Sequence, residues 1–538
     1  MTVETRVGWR VGSEHNVFPH GMLAPFLPHQ RPTLREPVRP CVTLLAFCGF
    51  FSRSDPIVSN RIRRTKIVAT MGPAWDRPEA MRALLDEGVD VVRINAAHGT
   101  PELRSRWIRD LQEAIADRNR AGAILVDLSG PRIRVGKLPE PMRLVPDETV
   151  TFAPEETAVQ GQIPTTYPEL ASDVEPGTRI LLDDGLLVCE VLGVEGETVR
   201  ARVLYGGELK ANKGINLPGV ELSTPTVTPR DEEEAIRAAA LGVDYIGLSF
   251  VRRPEDVLGI RRLVLQPIKV VAKIEKATAL KHLEGILDAT DVVMVARGDL
   301  GVELPFEQVP LVQKRLIREA GRLGKPVITA TQMLESMIEA PRPTRAEASD
   351  VANAILDGTD AVMLSAETAI GAYPREAVRA MDRIAREVES HRREGDPDAP
   401  AWSVVGLHAH PGTSRTGRTR TEDAIAIGVS AAAQLLGSPC IVCLTSSGFT
   451  ARTVASYRPE VPIFAVTPEP GTYRQLALVW GVIPALVERR PTYQAMWEVS
   501  RERLLQSGLV ELGARVVVTA GVPFDLAGTT NLLKVETV

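Results

Sequence analysis

From residue 64 onward, short apolar runs alternate with amphipathic segments of helical spacing. Eight of these runs are apolar along most of their length and end in polar or charged residues. They occupy positions 65–72, 89–97, 121–130, 243–251, 269–276, 291–299, 325–332 and 360–368. Strands buried on both faces are typical of parallel sheets covered by helices. We therefore predict an α/β protein built on a (β/α)8 TIM barrel over 61–131 and 229–393, with its active site at the carboxyl ends of the strands.

The barrel pattern is interrupted once, between the third and fourth strands. Residues 132–228 are rich in Pro, Gly and Thr and contain alternating strand-like patterns. This stretch predicts an inserted small β-barrel domain at the barrel mouth, where it could act as a lid. A polar, Gly/Pro-rich linker is predicted over 394–420. Residues 421–538 alternate helix and strand again and predict a separate open α/β regulatory domain.

The composition is that of an ordinary globular protein, with 44% hydrophobic and 24% charged residues and a net charge of −5 over 538 residues. Since the chain has neither a basic arm nor a long acidic block, we expect no nucleic acid and no membrane as a partner. The five cysteines are too irregularly spaced for a disulfide framework. Cys440 and Cys443 lie within an apolar run and are expected in a buried strand. A reducing compartment, the cytoplasm, is therefore expected.

Residues 1–60 are rich in Pro, Arg and His and lack periodicity. We interpret them as an N-terminal extension outside the fold, either disordered or the product of a mis-assigned start. A targeting segment is the third interpretation, since 42–51 is apolar. This run is shorter than the ~20 residues of a membrane span, and no signal cleavage motif follows it.

The fifth and sixth barrel strands carry the clearest candidate chemistry. Lys273 and Glu275 are two residues apart and so point to the same face of a strand, and Asp299 ends the next strand. Two neighbouring carboxylates form a hard-oxygen site suited to Mg²⁺ or Mn²⁺. Lys273 would then neutralise a transferring group. A salt-bridge network without a metal is the alternative interpretation.

Further residues at the same mouth favour anion chemistry. Arg93 and Arg134 supply guanidinium groups, which bind phosphate and carboxylate. The run ARGDLGVELP predicts a strand-to-helix turn whose free backbone N–H groups would bind an anion. A metal, a lysine and two arginines around one pocket fit phosphoryl transfer. Thr331 ends the seventh strand, and both proton delivery to a small carbon acid and capping of the following helix remain open for it.

The C-terminal domain contains a second candidate anion site. The run LTSSGFTARTVASYR places Ser446, Ser447, Gly448 and Thr450 at a predicted helix N-terminus, which suits a phosphate. An ordinary capped helix start is the alternative.

These residues and their surroundings resemble the pyruvate kinase family. The matching runs follow the family's order over almost the whole chain after the N-terminal extension; they include TKIVATMGPA, GPRIR, NKGINLPG, VVAKIEK, VMVARGDLGVE, ATQMLESM and DAVMLSAETAIGAYP. The resemblance implies that phosphoenolpyruvate and ADP are converted to pyruvate and ATP, the last step of glycolysis. It also implies a barrel with a lid, a C-terminal regulatory domain and a homotetramer.

The resemblance assigns roles to matching positions. Glu275 and Asp299 would hold the divalent metal. The catalytic group would consist of Lys273, Thr331, Arg93 and Arg134, with Lys273 stabilising the phosphoryl group and Thr331 helping to protonate the enolate. The substrate would contact Arg93, Lys273, Asp299 and Thr331, and its carboxylate the turn of Ala296, Arg297 and Gly298. The nucleotide would lie near Pro73, Asn95, His98, Arg134, Lys213 and Asp183 or Asp184. A phosphorylated effector, whether a sugar monophosphate, AMP or a bisphosphate, would bind Thr445, Ser446, Ser447, Gly448 and Thr450.

The chain departs from the family at the site that usually binds K⁺. Asn95 and Asp127 match two of the ligands, but the usual serine is Ala97 and the usual threonine is Leu128. Arg132 stands where the family usually has glutamate. We expect its permanent charge to replace the cation, which resembles the K⁺-independent branch of the family, where a lysine occupies this place. Loss of activity is the other interpretation.

Two further function classes compete with this resemblance. A different (β/α)8 lyase or aldolase acting on pyruvate-like enolates with Mg²⁺ would share the carboxylate pair, but would not need Lys213, the lid or the C-terminal domain. A ligand-sensing relic that uses only the regulatory domain would not need Lys273, Glu275 and Asp299.

Overall fold

The computed structural model describes residues 62–118, 120–264, 267–391, 419–523 and 528–538. The first part of the barrel consists of β1 (Lys66–Thr70), α1 (Pro78–Asp86), β2 (Val91–Asn95), α2 (Pro101–Ala116) and β3 (Ala123–Asp127). The strands are apolar and almost wholly buried. Both helices begin at a proline, whose fixed φ suits a first helical turn. The Thr100 side chain caps α2 by accepting the N–H of Leu103.

The inserted segment folds into a small β domain. Its elements are β4 (Met142–Leu144), β5 (Thr149–Pro154), β6 (Ile163–Thr165), α3 (Leu170–Asp173), β7 (Arg179–Leu182), β8 (Leu187–Glu195), β9 (Thr198–Tyr205), β10 (Gly207–Leu209) and β11 (Ile215–Asn216). Six strands form a sheet in the order β11-β7-β8-β9-β5-β6, and β10 pairs with β4. The alternating pattern of the sequence buries every second side chain of β9. These buried residues contribute to a hydrophobic core of the domain's own.

The chain then returns to the barrel. The elements are α4 (Pro229–Ala240), β12 (Tyr245–Leu248), α5 (Pro254–Leu263), β13 (Lys269–Ile274), α6 (Ala277–Lys281), α7 (Leu283–Ala289), β14 (Val292–Ala296), α8 (Arg297–Glu303), α9 (Val309–Arg322), β15 (Val327–Ala330), α10 (Arg345–Leu356), β16 (Ala361–Leu364), α11 (Ala366–Ala369) and α12 (Pro374–His391). The strands close a parallel barrel in the order β1-β16-β15-β14-β13-β12-β3-β2. Because β12 pairs directly with β3, the insertion leaves the barrel intact. Each barrel strand lies within its predicted run, so the predicted TIM barrel is confirmed.

The C-terminal domain is an open α/β sheet, as predicted. Its elements are α13 (Thr421–Leu435), β17 (Ile441–Leu444), α14 (Phe449–Ser456), β18 (Ile463–Thr467), α15 (Pro470–Gln475), β19 (Val482–Leu486), α16 (Tyr493–Gln506), β20 (Arg515–Ala520) and β21 (Leu532–Thr537). The strand order is β19-β18-β17-β20-β21, and β21 alone runs antiparallel to its neighbour in this sheet as described. Cys440 and Cys443 are buried at β17, and burial raises the pKa of the Cys440 thiol to about 12.

The barrel floor, meaning the amino-terminal ends of the barrel strands, packs against the C-terminal domain. Arg458, just after α14, binds both carboxylate oxygens of Asp360 at 2.9 and 3.1 Å. Arg474 of α15 donates to Asp244 at 2.8 Å. The hydroxyl of Tyr245 donates to a backbone carbonyl in α15 at 2.5 Å. These contacts attach the domain to the starts of β16 and β12.

Short 3₁₀ helices complete the described chain at Pro73–Trp75, Phe306–Gln308, Glu335–Ile338 and Leu476–Leu478. The predicted extension over 1–60 lies outside the described residues, as does the predicted linker over 394–420 up to residue 418. In the part of the chain that the structure describes, no helix is both long and apolar enough to cross a membrane.

Candidate active site

A cavity of about 380 Å³ opens at the barrel mouth, meaning the carboxyl-terminal ends of the barrel strands. It brings together site residues predicted from separate strands: Pro73, Arg93, Asn95, His98, Arg132, Lys273, Glu275, Ala296, Asp299 and Thr331. They meet because parallel strands of a closed barrel all end at one rim. These residues are therefore neighbours in space, whereas Arg134, which was also expected at the mouth, does not line this cavity.

Lys273 lies at the centre of a buried polar cluster. Its Nζ lies 2.8 Å from Oε1 of Glu275 and 3.3 Å from Oδ1 of Asp127. It also donates to the hydroxyl of Ser249 at 2.7 Å. Burial lowers the pKa of Lys273, but the two carboxylates outweigh that effect and the pKa is raised overall. The ammonium group therefore stays charged at the edge of the cavity.

Glu275 is a buried carboxylate with a raised pKa. Burial is the main cause, and the negative charge of Asp299 acts in the same direction. Lys273 and the backbone N–H of Phe250, which donates to Oε2 at 2.7 Å, oppose the increase. Phe250 has a left-handed backbone, with φ of 56°. The loop after β12 is thus held in an uncommon conformation that turns a donor toward Glu275.

Asp299 lies in the first turn of α8, and its carboxylate forms no hydrogen bond or ion pair with the described residues. It lines the mouth cavity beside Glu275 and disfavours ionisation of that residue. A divalent cation would relieve this repulsion. No group of three or more His, Cys, Asp or Glu side chains in the described ranges could hold a metal. The pair fits Mg²⁺, which commonly takes one or two carboxylates and completes its shell with water and substrate oxygens.

Arg93 is fixed at the mouth by Asp127. Its guanidinium nitrogens lie 2.6 and 2.8 Å from Oδ2 of Asp127, and it donates to the hydroxyl of Thr70 at 3.2 Å. Burial would raise the pKa of Asp127, but Lys273 and Arg93 outweigh it and lower the pKa overall. Asp127 therefore holds two cations side by side. In this arrangement its carboxylate is occupied by those cations and is not part of the cavity lining.

Thr331 follows β15 in a left-handed conformation, with φ of 65°. Its hydroxyl accepts the backbone N–H of Gly298 at 2.8 Å and donates to the carbonyl of Ala330 at 2.6 Å. The alternative in which Thr331 caps the following helix was therefore wrong, because its hydroxyl binds an N–H in the first turn of α8, earlier in the chain, and no helix begins at the residue after Thr331. The reason is that the loop after β15 folds back over the start of α8. The hydroxyl lines the mouth cavity.

The turn between β14 and α8 has the predicted strand-to-helix form, since β14 ends at Ala296 and α8 begins at Arg297. The side chain of Arg297 does not line the mouth cavity. It donates to the carbonyl of Thr331 at 2.7 Å and pairs with Asp350 at 2.6 Å. Arg297 therefore supports the loop after β15 through its side chain, while its backbone belongs to the turn.

The remaining predicted nucleotide residues line a second cavity of about 290 Å³ between the inserted β domain and the mouth. They are Arg134, Asp183, Asp184 and Lys213, and they share this cavity with Arg132 and Asp299. Lys213 pairs with Asp183 at 2.8 Å, and Arg134 donates to the carbonyl of Asn212 at 3.1 Å. The inserted domain thus presents two cations to the cavity that Asp299 also lines.

Arg132 lines both cavities, and its guanidinium forms no hydrogen bond or ion pair with the described residues. Partial burial, followed by the charges of Arg132, Arg93 and Arg134, lowers the pKa of His98. The amide oxygen of Asn95 accepts the backbone N–H of Ala97 at 3.1 Å. A permanent positive charge therefore lies between the mouth and the lid.

In the C-terminal domain, the predicted effector residues Thr445, Ser446, Ser447 and Thr450 line a small cavity of about 40 Å³. Gly448 is left-handed, with φ of 76°, and its N–H donates to the hydroxyl of Thr445 at 3.0 Å. The cavity lies at the carboxyl ends of β17 and β20, neighbouring strands from which the chain leaves in opposite directions. Ligands of open α/β sheets bind at such positions.

Several lining residues were missed in the sequence. Ser249 and Phe250 contact Lys273 and Glu275, and both follow the strand β12, whose carboxyl end was expected at the mouth. Arg489 and Arg490 line the effector cavity. The paired arginines after β19 were the available signal, but only the fold places them beside the loop of Thr445.

Comparison with known proteins gives a consistent result. The family model described as the pyruvate kinase barrel domain matches residues 62–378, and that of the pyruvate kinase alpha/beta domain matches residues 423–536. Pyruvate kinase 2 of Synechocystis sp. is 46% identical over 493 residues, which cover 88% of this chain and 79% of the relative. The pyruvate kinase of Geobacillus stearothermophilus is 45% identical over 491 residues, with 88% and 80% covered.

A solved structure shows the same architecture. The crystal structure of a pyruvate kinase from Cryptosporidium parvum superimposes with a TM-score of 0.82 at 32% sequence identity. The match covers 88% of this chain and 96% of the Cryptosporidium chain. Family models, curated relatives and a solved structure agree over the barrel and the C-terminal domain. The chain therefore belongs to the pyruvate kinase family of phosphotransferases.

Proposed function

We propose that this protein transfers the phosphoryl group of phosphoenolpyruvate to ADP and so forms pyruvate and ATP. The observation that carries the proposal is the mouth cluster, in which Lys273 contacts Glu275 at 2.8 Å beside the carboxylate of Asp299, which has no partner among the described residues. A buried cation and two carboxylates on one cavity wall match the charge of a transferring phosphoryl group and its metal.

Glu275 and Asp299 would hold the divalent metal, Mg²⁺ or Mn²⁺. When bound, such a cation neutralises negative charge on phosphoryl oxygens. Lys273 would balance the charge of the phosphoryl group as it moves, and Arg93 would contact its oxygens. Both cations are held in place by Asp127, so little reorganisation is needed at the moment of transfer.

On the product side, the enolate released by phosphoenolpyruvate needs a proton on its methylene carbon. The Thr331 hydroxyl lines the cavity and is oriented by Gly298 and Ala330, so it would deliver or relay that proton. The backbone turn of Ala296, Arg297 and Gly298 would hold the substrate carboxylate at the start of α8.

ADP would bind toward the lid, with its phosphates near Arg134, Lys213 and His98 and its adenosine against Pro73. Asn95 and Asp184 belong to the same proposed nucleotide group. Arg134 and Lys213 lie on lid segments, so lid closure would bring their charges onto the phosphates.

Arg132 would make catalysis independent of K⁺. Its guanidinium lines both cavities without a described partner, while Asp127 is bound by Arg93 and Lys273. A fixed cation in this position would supply the charge that K⁺ supplies elsewhere in the family.

We further propose a glycolytic role in the cytoplasm, a homotetramer and control by a phosphorylated metabolite. The effector would bind in the cavity of Thr445, Ser446, Ser447 and Thr450, where Arg489 and Arg490 add positive charge. Activation measured against a panel of phosphorylated metabolites tests this assignment, and no response to any of them would remove it.

The proposed reaction is tested by pyruvate formation coupled to lactate dehydrogenase, with phosphoenolpyruvate, ADP and Mg²⁺ in a K⁺-free and Na⁺-free buffer. We expect pyruvate only when ADP is present and full activity without K⁺. Pyruvate formation without ADP would favour a lyase or phosphatase, and a strong requirement for KCl would remove the role of Arg132.

A further inference from the structure

A buried ion pair lies next to the two candidate metal ligands, and its lysine lines the second cavity together with Asp299. Nζ of Lys276 lies 2.5 Å from Oε1 of Glu303, and their side chains are 10% and 3% exposed. Lys276 is the residue after Glu275, and Glu303 lies one helical turn after Asp299 on the same face of α8. The pair therefore joins the two segments that carry the carboxylates, beside the carboxylates themselves.

Helix α8 depends on outside contacts for its position. It has only seven residues, and its own N-cap residue, Ala296, provides no side-chain hydrogen bond. Helices of this length are marginal without tertiary support. At the first turn, Gly298 is held by Thr331 at 2.8 Å. At the last turn, Glu303 is held by Lys276 from the segment that follows β13. The second contact links α8 to the segment that carries Glu275.

Lys276 is itself well fixed. Its backbone is extended, with φ of −112° and ψ of 140°, so its side chain leaves the chain on the opposite face from that of Glu275. The Phe250 ring lies 5.7 Å from Nζ, within the range of a cation–π contact. The N–H of the same Phe250 donates to Glu275. Lys276 and Glu275 are thus both held by Phe250, the first through its ring and the second through its backbone N–H.

We propose that Lys276 and Glu303 form a clamp that sets the separation of Glu275 and Asp299 and thereby the affinity for the divalent metal. Lys276 is then a positioning residue, which acts through the carboxylates without touching the metal. The inference rests on the proposed function, since it takes the carboxylates as metal ligands. Both charges are buried, so neither can move away without leaving the other unpaired. Supporting contacts behind metal ligands commonly control affinity.

A purely electrostatic effect of these charges can be separated from a clamp. Lys276→Met removes a positive charge near the site, and Glu303→Gln removes a negative one. A field effect alone would strengthen Mn²⁺ binding in the first variant and weaken it in the second. A clamp predicts weaker binding in both, because either change releases α8.

The experiment is a Mn²⁺ titration of the purified full-length protein without substrates, in which free Mn²⁺ is followed by electron paramagnetic resonance. We expect both variants to bind Mn²⁺ about 10-fold more weakly than the wild type. Lys276→Arg keeps the charge and can reach Glu303, so this variant should bind Mn²⁺ as tightly as the wild type does. Lys269→Met is the matched control, because Lys269 begins β13, the strand that leads to Lys276, but pairs with Asp291 at the floor, at 3.2 Å. It should leave Mn²⁺ binding unchanged.

The clamp is overturned if the two variants shift Mn²⁺ affinity in opposite directions, or if both lower the melting temperature while binding Mn²⁺ as the wild type does. Should Lys276→Met not fold, Lys276→Gln takes its place, since it also removes the positive charge but keeps a polar side chain opposite Glu303: stronger Mn²⁺ binding would overturn the clamp and weaker binding would support it. Glu275→Gln separates the two proposals. If it binds Mn²⁺ normally, the proposed metal site fails; if it loses Mn²⁺ while both clamp variants keep it, only the clamp fails.

Discussion

The mouth and the floor of the barrel are opposite ends of the same strands, yet they treat buried charge in opposite ways. At the floor, Asp90 is paired with Arg63 at 2.9 Å and also with Arg120. Burial alone would raise the pKa of Asp90, but these arginines hold it well below its usual range. At the mouth, the pKa of Glu275 is raised, and Asp299 has no described partner. The floor uses charge to hold the fold, and the mouth keeps charge available for a ligand.

The backbone shows the same contrast. Loops that lead into strands at the floor place glycine at left-handed positions, as in Gly88, Gly242 and Gly358. At the mouth, Phe250 and Thr331 adopt left-handed conformations although they carry side chains. Such conformations cost roughly 1 kcal/mol or more each. The protein therefore carries strain where side chains must be aimed at the cavity.

The largest expected effect is at the mouth, in Glu275→Gln. We expect kcat to fall by about 1,000-fold, the scale on which a single charge-stabilising group acts. The melting temperature should be unchanged or higher, because the variant removes a buried carboxylate repelled by Asp299. Steady-state kinetics and thermal unfolding of the same preparation measure both. A large loss of stability with retained kcat would mean that Glu275 holds the fold, as the charges at the floor do, and would contradict its role as a metal ligand.

At the floor, Asp90→Asn should show the opposite result. Removing one charge of a buried ion pair costs about 3 kcal/mol or more in unfolding free energy, because Arg63 is left without its main counter-ion. The activity of the protein that remains folded should be unchanged. Denaturant unfolding and kcat at low temperature test this. A kcat loss comparable to that of Glu275→Gln would contradict the purely structural role of the floor.

Asp244 is the exception at the floor. Burial raises its pKa to about 6 although Arg474 pairs with it at 2.8 Å. Since the folded pKa lies above the unfolded value of about 3.9, its contribution to stability is greatest below about pH 4 and is lost as the pH rises through about pH 6. Asp244→Asn should therefore gain up to about 3 kcal/mol relative to the wild type between about pH 4 and about pH 7. Melting temperatures of the two proteins measured across this pH range test the prediction. A difference between them that stays constant with pH would contradict the raised pKa of Asp244.

The smallest expected effect is in Arg132→Gln, which tests whether the guanidinium that lines both cavities replaces the monovalent cation. We expect about a 10-fold loss of kcat/KM without K⁺ and partial recovery when KCl is added. The pKa of His98 should rise, because Arg132 is one of the charges that lower it. Kinetics with and without KCl and an NMR titration of His98 provide the readouts. Arg134, which also lowers the pKa of His98, is unchanged in this variant, so part of the pKa shift of His98 should remain.

Features with short-range periodicity were predictable from the sequence. Each barrel strand was expected from its apolar run, and the polar ends of those runs placed Lys273, Glu275 and Asp299 at one rim. That inference needs only the rule that parallel strands end together. The family resemblance added roles for residues such as Lys213. The local sequence pattern around Lys213 does not reveal such a role.

What the sequence did not reveal depends on contacts between distant segments. The direction of the Arg297 side chain, away from the cavity and toward Asp350, follows from how the loop after β15 folds back. The cap that Thr331 supplies to Gly298 joins positions 33 residues apart in the chain. The pairing of Lys276 with Glu303 is of the same kind. Each is a side-chain contact whose partner only the closed barrel identifies.

The most direct test of the central claim follows the phosphoryl group itself. ³¹P NMR of the wild-type protein with phosphoenolpyruvate, ADP and Mg²⁺ should show the phosphoenolpyruvate signal replaced by the γ-phosphate of ATP. The same mixture should be inert after chelation of the metal or with Glu275→Gln. Release of inorganic phosphate without ATP, or equal ATP formation after chelation, would contradict metal-assisted phosphoryl transfer at the barrel mouth.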